Sequence, residues 1–226
     1  MITFPGFNQD CRFFHGFGTK NDLQLPSHWP CSEVQLNQVH GASVFDLKKF
    51  PPEVADLSQG YDGVVTSLPE VVLTIKTADC LPVLFYSEAN QRVGACHAGW
   101  RGLRLGILQA TLQSLTANKA IGGVRAAIGP GIGADHFEVG DEVVSAFVGL
   151  DLGFQAYFKS CGGEKYRGDL YGIAKRILLQ AGLDQNKIFF EPRCTFCDPL
   201  SFHSYRRDGK SGGRNFSRIG LLPAHL

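Results

Sequence analysis

Cys80 and His97 are the pair in this 226-residue chain whose types and spacing best suit chemistry. A thiol beside an imidazole serves either as a nucleophile with its base or as two ligands of a soft metal such as zinc. Leu81–Tyr86 and Arg92–Cys96 lie between them as two strand-like runs flanking a polar connection, Ser87–Gln91, of hairpin length. Antiparallel pairing sets Pro82 opposite roughly Cys96. Cys80 and His97 then emerge together at the open end, about one residue out of register. Asp79, Trp100, Arg101 and the glycines Gly99 and Gly102 crowd that end, a composition suited to a site and poor for a core.

The neighbouring elements extend this picture. Glu33–Val39 alternates polar and apolar residues as a half-buried strand does, and it delivers His40-Gly41 at a strand break, where a histidine can project into a cleft. Asp62–Thr66, Val71–Lys76, Val124–Ile128 and Ile188–Phe190 read as further strands. Ile107, Leu108, Leu112 and Leu115 recur at helical spacing, predicting a helix over Leu103–Leu115. Its glycine-flanked start brings Arg101 and Arg104 together with free backbone N–H groups, an anion seat for phosphate or carboxylate. A short helix is expected from Asp141 to Phe147. Another is capped by Asp169 and ends at Gly182, with Leu170, Ile173, Ala174, Ile177, Leu178 and Ala181 on its buried face.

Lys20, after an aromatic stretch, is a further anion candidate. His28 and Cys31 flank Trp29-Pro30 and read as loop residues. Gly129–Gly133 is glycine-rich, but there is no GxGxxG and no Walker lysine, which argues against a dinucleotide fold. Cys194-Thr-Phe-Cys197 has neither a second pair nor a thioredoxin-like context in the sequence, so it is placed outside the site. The tail Phe202–Arg214 surrounds its glycines with cations. It reads as a solvated loop or as a lid bringing Arg206, Arg207 and Arg214 to an anionic ligand.

The whole chain sets the bounds. A net charge of +1 gives no argument for nucleic acid or membrane binding. No apolar run approaches the roughly 20 residues of a membrane span. The amino end lacks the basic and apolar regions of a signal peptide, making the cytoplasm the default expectation. Seven cysteines, an odd number scattered along the chain, are unlike a disulfide framework. No repeat or linker divides the sequence, so residues 1–226 are expected to form a single domain.

Taken in order, His15–Lys20, Gln38–Gly41, Thr77–Cys80, His97–Gly102, Ile128–Ile132, Phe137–Gly140, Asp169-Leu170, Cys194-Thr195, Ser204–Asp208 and Gly213-Arg214 resemble the YfiH-like laccase-domain family over nearly the whole length. Its members are variously called polyphenol oxidase, multifunctional purine nucleoside phosphorylase and peptidoglycan editing factor. The resemblance implies an α+β fold with mixed sheets in four layers, α/β/β/α. It also implies a metal held by His40, Cys80 and His97, in the three-ligand pattern of catalytic zinc, which activates water near neutral pH. The implied activity is phosphorolysis of adenosine, inosine or methylthioadenosine, together with adenosine deamination, on a small-molecule nucleoside and phosphate. Arg101, Arg206, Arg207 and Arg214 are the candidate phosphate holders, and Asp79 the carboxylate for proton transfer or for orienting a histidine. Copper is the alternative metal, with polyphenol oxidation as its chemistry. A Cys80/His97 hydrolase or a peptidoglycan-editing binding module are the other readings. Lys20 stands where the family usually has Arg, Phe137 where it usually has Tyr, and Asn37 where it often has Lys. Lysine does not reproduce arginine's bidentate grip on an oxyanion.

Overall fold

A near-continuous apolar run makes a strand buried on both faces, and the centre of this molecule is built from such runs. The computed structural model describes residues 1–9, 12–22, 32–52, 58–117 and 119–223, so His28 and Cys31 lie outside it. From the amino end the strands are β1 (Phe13–Phe17), β2 (Ser32–Gln35), β3 (Val44–Leu47), β4 (Gly63–Thr66), β5 (Val71–Thr77), β6 (Leu81–Ser87) and β7 (Arg92–Ala98). Helices α1 (Trp100–Leu105) and α2 (Ile107–Thr116) follow, then β8 (Val124–Ile128), β9 (Glu138–Gly140) and α3 (Asp141–Val148). Strands β10 (Phe158–Gly162) and β11 (Lys165–Gly168) precede α4 (Leu170–Gln180), β12 (Ile188–Phe190), the single turn α5 (Tyr205–Asp208) and β13 (Asn215–Leu221).

The strands form a six-stranded mixed sheet, β12-β8-β6-β7-β4-β3, a four-stranded mixed sheet, β1-β13-β5-β2, and a small sheet, β10-β11-β9. Side-chain parity on β6 and β7 separates two cores. Leu81, Val83, Phe85, Cys96 and Ala98 pack with Leu103, Ile107, Leu112 and Ile177 of the helices. Leu84, Tyr86, Val93 and Ala95 pack with Phe13, Leu73, Ile75 and Ile219 of the four-stranded sheet. Among the described residues, helices, six-stranded sheet and four-stranded sheet are thus successive layers of a mixed α/β domain. Each fully buried Leu, Ile or Phe contributes about 1.5–3 kcal/mol.

Three local expectations shift. The β6–β7 register pairs Pro82 with His97, not with Cys96. Ser87 belongs to the strand and pairs with Arg92, which leaves a four-residue turn and moves the register by one. The helix expected over Leu103–Leu115 starts earlier, at Trp100, and breaks at Gly106, whose φ of 89° is outside helical geometry. Six residues of α1 are too few to make its start an anion seat of the kind expected. The Asp169 cap is present: its side chain accepts from the Gly172 N–H.

Candidate metal centre

Adjacent antiparallel strands carry the first two donors. Cys80 directly precedes β6 and His97 is the penultimate residue of β7, so the sheet itself sets their separation. On β7 His97 has the parity of Val93 and Ala95, which turns it toward the side of the four-stranded sheet, where the chain of β5 runs out through Thr77. His40 arrives from elsewhere, on the stretch after β2. Gln38 fastens that stretch to β5, its amide donating to the Lys76 carbonyl (2.8 Å) and accepting from the Lys76 N–H (2.9 Å). The ligand atoms of His40, Cys80 and His97 all lie within 4.8 Å of one another, and the two imidazoles cross at 80° with centroids 4.7 Å apart.

One carboxylate holds two of these donors. Asp62 is fully buried at the head of β4. It accepts the His97 Nδ1–H at 2.7 Å and the backbone N–H groups of Val39, His40 and Gly41 at 3.1, 3.0 and 2.6 Å. The Asp62 carbonyl also accepts the His97 N–H at 2.7 Å. Burial works against its charge, but His97 and these N–H groups hold the Asp62 carboxyl below its ordinary value. As an ionised acceptor it fixes the proton on His97 Nδ1 and leaves the Nε2 lone pair for a metal, the carboxylate–histidine arrangement of metal centres.

Backbone strain marks the same place. His40 and Asp79 are non-glycine residues at φ 62° and 86°. Such positions cost on the order of 1–3 kcal/mol and persist where the surroundings over-determine them. For His40 the surroundings are the Asp62 carboxylate. Gly99 is required for space, since a Cβ there would stand 2.8 Å from Cys80 Sγ. Burial pushes the Cys80 thiol up, but His97 and His40 outweigh it and bring it below its ordinary value. Burial likewise pushes His97 down, while Cys80 and Asp62 hold it above its own. Two imidazoles and a thiol of lowered pKa, with one tautomer fixed, fit a soft divalent metal.

The three donors sit in a cleft of about 710 Å³. Trp100, Phe137 and Tyr205 supply aromatic walls, and Lys76, Arg101, Arg206 and Arg214 supply positive charge. The Arg101 guanidinium lies over the Trp100 ring at 4.4 Å, and Arg206 braces itself on the carbonyls of His136 and Glu138. Thr77 Oγ1 is buried in the cleft wall without a hydrogen-bond partner among the described residues.

The remaining sequence candidates fall differently. Asp79 orients no histidine. Its Oδ1 accepts from the Thr195 hydroxyl and its Oδ2 from the Arg206 N–H, both at 2.6 Å, so the orienting carboxylate is Asp62. Arg207 turns from the cleft, because its guanidinium is committed to Asp208 and to the carbonyls of Thr195, Phe196 and Phe202. Lys20 is not part of the cleft wall; its N–H is tied to the Ser201 carbonyl, and its charge acts on His203 and Asp208. Lys76 and Gln38 are cleft residues to which the sequence assigned no role, although Gln38 lies in one of the quoted motifs. A Gln two residues before a His at a strand break was the available signal.

The profile of a family described as multi-copper polyphenol oxidoreductase laccase matches residues 20–222. The purine nucleoside phosphorylase YfiH of Escherichia coli (strain K12) is 41% identical over 193 residues, 85% of this chain and 75% of that protein. An adenosine deaminase, RL5, from an unknown prokaryotic organism is 34% identical over 163 residues, 71% of this chain and 62% of that protein. The crystal structure of a Bacillus licheniformis hypothetical protein, YfiH, superposes with a TM-score of 0.83 at 26% identity, covering 95% of this chain and 94% of that one.

Proposed function

Since the chain belongs to the multi-copper polyphenol oxidoreductase laccase family, whose curated relatives include purine nucleoside phosphorylases and an adenosine deaminase, we propose that it is a zinc-dependent purine nucleoside enzyme. The observation that carries this is the convergence of His40, Cys80 and His97 in a cleft lined by aromatic rings and cations. Zinc bound there supplies Lewis acidity. Trp100, Phe137 and Tyr205 present flat apolar surface to a purine ring. Arg101, Arg206 and Arg214 hold phosphate. Asp79 acts through Arg206, whose backbone N–H it fixes. In phosphorolysis the bond from sugar C1′ to the base nitrogen breaks, a phosphate oxygen takes its place on C1′, and the base leaves protonated. Deamination of adenosine at the same centre exchanges the exocyclic amine for oxygen from water.

The test is chromatography of adenosine incubated with the zinc-loaded protein, with and without phosphate. Phosphate-dependent adenine release, abolished in Cys80→Ala, is the expected result. Inosine in place of adenine would assign deamination. Zinc-loaded protein that leaves both adenosine and inosine untouched would sink the proposal. Oxygen consumption on a phenol by the copper-loaded protein would support the polyphenol oxidase reading instead.

A second reading draws on a specific feature: Cys80, His97 and Asp62 are joined as thiol, base and orienting carboxylate, the pattern of a cysteine hydrolase. His40 weighs against it. A Cys–His pair needs no second imidazole, yet the chain holds one beside the sulfur at a strained φ. Iodoacetamide-sensitive, chelator-insensitive hydrolysis would favour this reading.

A further inference from the structure

The Cys194–Cys197 pair lacks a partner in the sequence and gains one in the fold. His136 approaches from the loop before β9, and the ligand atoms of His136, Cys194 and Cys197 all lie within 4.8 Å of one another. None of the three lines the cleft of Cys80. The two segments that carry them are already paired at Gly131 and Cys194. Gly131 and Cys194 form an isolated parallel bridge, with the Gly131 N–H on the Arg193 carbonyl (3.2 Å) and the Thr195 N–H on the Gly131 carbonyl (2.9 Å). The Gly133 N–H donates to Cys194 Sγ at 3.2 Å, support that a charged sulfur uses best. His136 stacks on Phe196, which lies between the two cysteines in the chain, with centroids 4.4 Å apart and planes at 21°. That contact fixes the plane of the imidazole.

We propose that His136, Cys194 and Cys197 form a second zinc site, separate from the cleft. Two thiolates and an imidazole are a soft donor set that selects zinc over magnesium or calcium. In a tetrahedral zinc site the donor atoms stand roughly 3.5 Å apart, from the usual Zn–S and Zn–N bond lengths. A side-chain rotation of the exposed Cys197 covers the remaining difference. Asp135, whose charge already acts on Cys197, or water takes the fourth position.

The site acts as a clasp beside the cleft. Thr195, inside the Cys194–Cys197 turn, donates to Asp79, the residue before Cys80. His136 gives its carbonyl to the Arg206 guanidinium, and Asp79 accepts the Arg206 N–H. Zinc joining the 133–137 loop to the 194–197 turn therefore braces Asp79 and Arg206 together without touching substrate. The proposal concerns these residues alone and stands whatever reaction the cleft performs.

The test uses the full chain carrying Cys80→Ala, which removes the thiolate of the cleft and leaves the second cluster intact. Protein purified under reducing conditions is loaded with zinc, desalted and assayed by elemental mass spectrometry. Cys80→Ala should retain one equivalent of zinc, and Cys80→Ala with Cys197→Ser should retain none. Loaded with cobalt, the single variant should show thiolate-to-metal charge-transfer absorption and the double variant should not. Cys197 is exposed, so the fold should survive its substitution, as circular dichroism will verify; His136→Ala on the same background is the second variant and should also lower retention. Absence of zinc in reduced Cys80→Ala, equal zinc in the single and double variants, or a Cys194–Cys197 disulfide that persists under reductant would each overturn the proposal.

Discussion

Asp62 has no solvent with which to share its charge, so its four side-chain hydrogen bonds carry the whole burden of keeping it ionised. Asp62→Asn keeps the shape but weakens every one of them. It also puts an amide that can donate where His97 needs an acceptor. Zinc affinity should fall by about 10- to 100-fold, as for other residues that orient metal ligands, measured by chelator competition. Asp79→Asn should leave affinity within a few-fold, because Asp79 touches Thr195 and Arg206 and no donor. Equal losses in the two variants would contradict the assignment of the orienting role to Asp62. The sequence made Asp79 the candidate because it adjoins Cys80. Asp62 stands 35 residues from its histidine, and only the β4–β7 pairing brings them together. Proximity along the chain misled, and no local pattern could have corrected it.

At the scale of elements, the hairpin of β6 and β7 was legible because its two runs and its turn are local. Its register was off by one because Ser87 is as acceptable in a strand as in a turn. The α1–α2 break was missed for a related reason: Ile107 to Leu115 keeps its period, while Gly106 interrupts only the backbone. The join of β7 to α1 is where element geometry meets the site. Gly99, the residue before the helix, has ordinary extended dihedrals, so its absent Cβ matters only for space. Gly99→Ala should therefore leave the helix formed and displace Cys80 Sγ. Zinc affinity should drop by at least about tenfold, the order set by losing correct placement of one donor, with far-ultraviolet circular dichroism unchanged. Loss of helix signal in step with loss of zinc would show that Gly99 serves the fold instead.

For the whole molecule, the mixed α/β fold with mixed sheets was indicated mainly by the family resemblance. The parity that separates its two cores is a tertiary property of strands buried on both faces, which show no alternation to read. The sheet β10-β11-β9 was not anticipated, since Lys159–Gly162 is exposed and polar. Stability of the sandwich carries a pH dependence of its own. Burial pushes His15, on β1, down to about 4, and its neutral Nε2 accepts the Phe4 N–H at 2.9 Å. The folded state refuses a proton that the unfolded chain takes up below about pH 6.5. The contribution is therefore complete above that pH and declines as pH falls toward 4, by up to roughly 3 kcal/mol. Urea denaturation at pH 7 and pH 4.5 should show His15→Gln losing less stability than the parent over that interval. Parallel losses would mean that His15 is not the titrating group.

The donors of the cleft also differ in how fast they can come and go. Cys80 and His97 adjoin strands at the middle of the six-stranded sheet, whose backbone opens only when the molecule does. His40 lies outside the sheet, on a stretch held by three N–H bonds to a single carboxylate and by the Gln38 amide on Lys76. Hydrogen–deuterium exchange should find the Val39–Gly41 amides trading their protons far sooner than those of Val83–Phe85, and zinc should slow the first set selectively. A metal ion would then arrive on a rigid two-toothed seat and be latched by the third donor. Departure would run in reverse, so the residence time of the ion would be set by the stretch around His40 and not by the sheet beneath it.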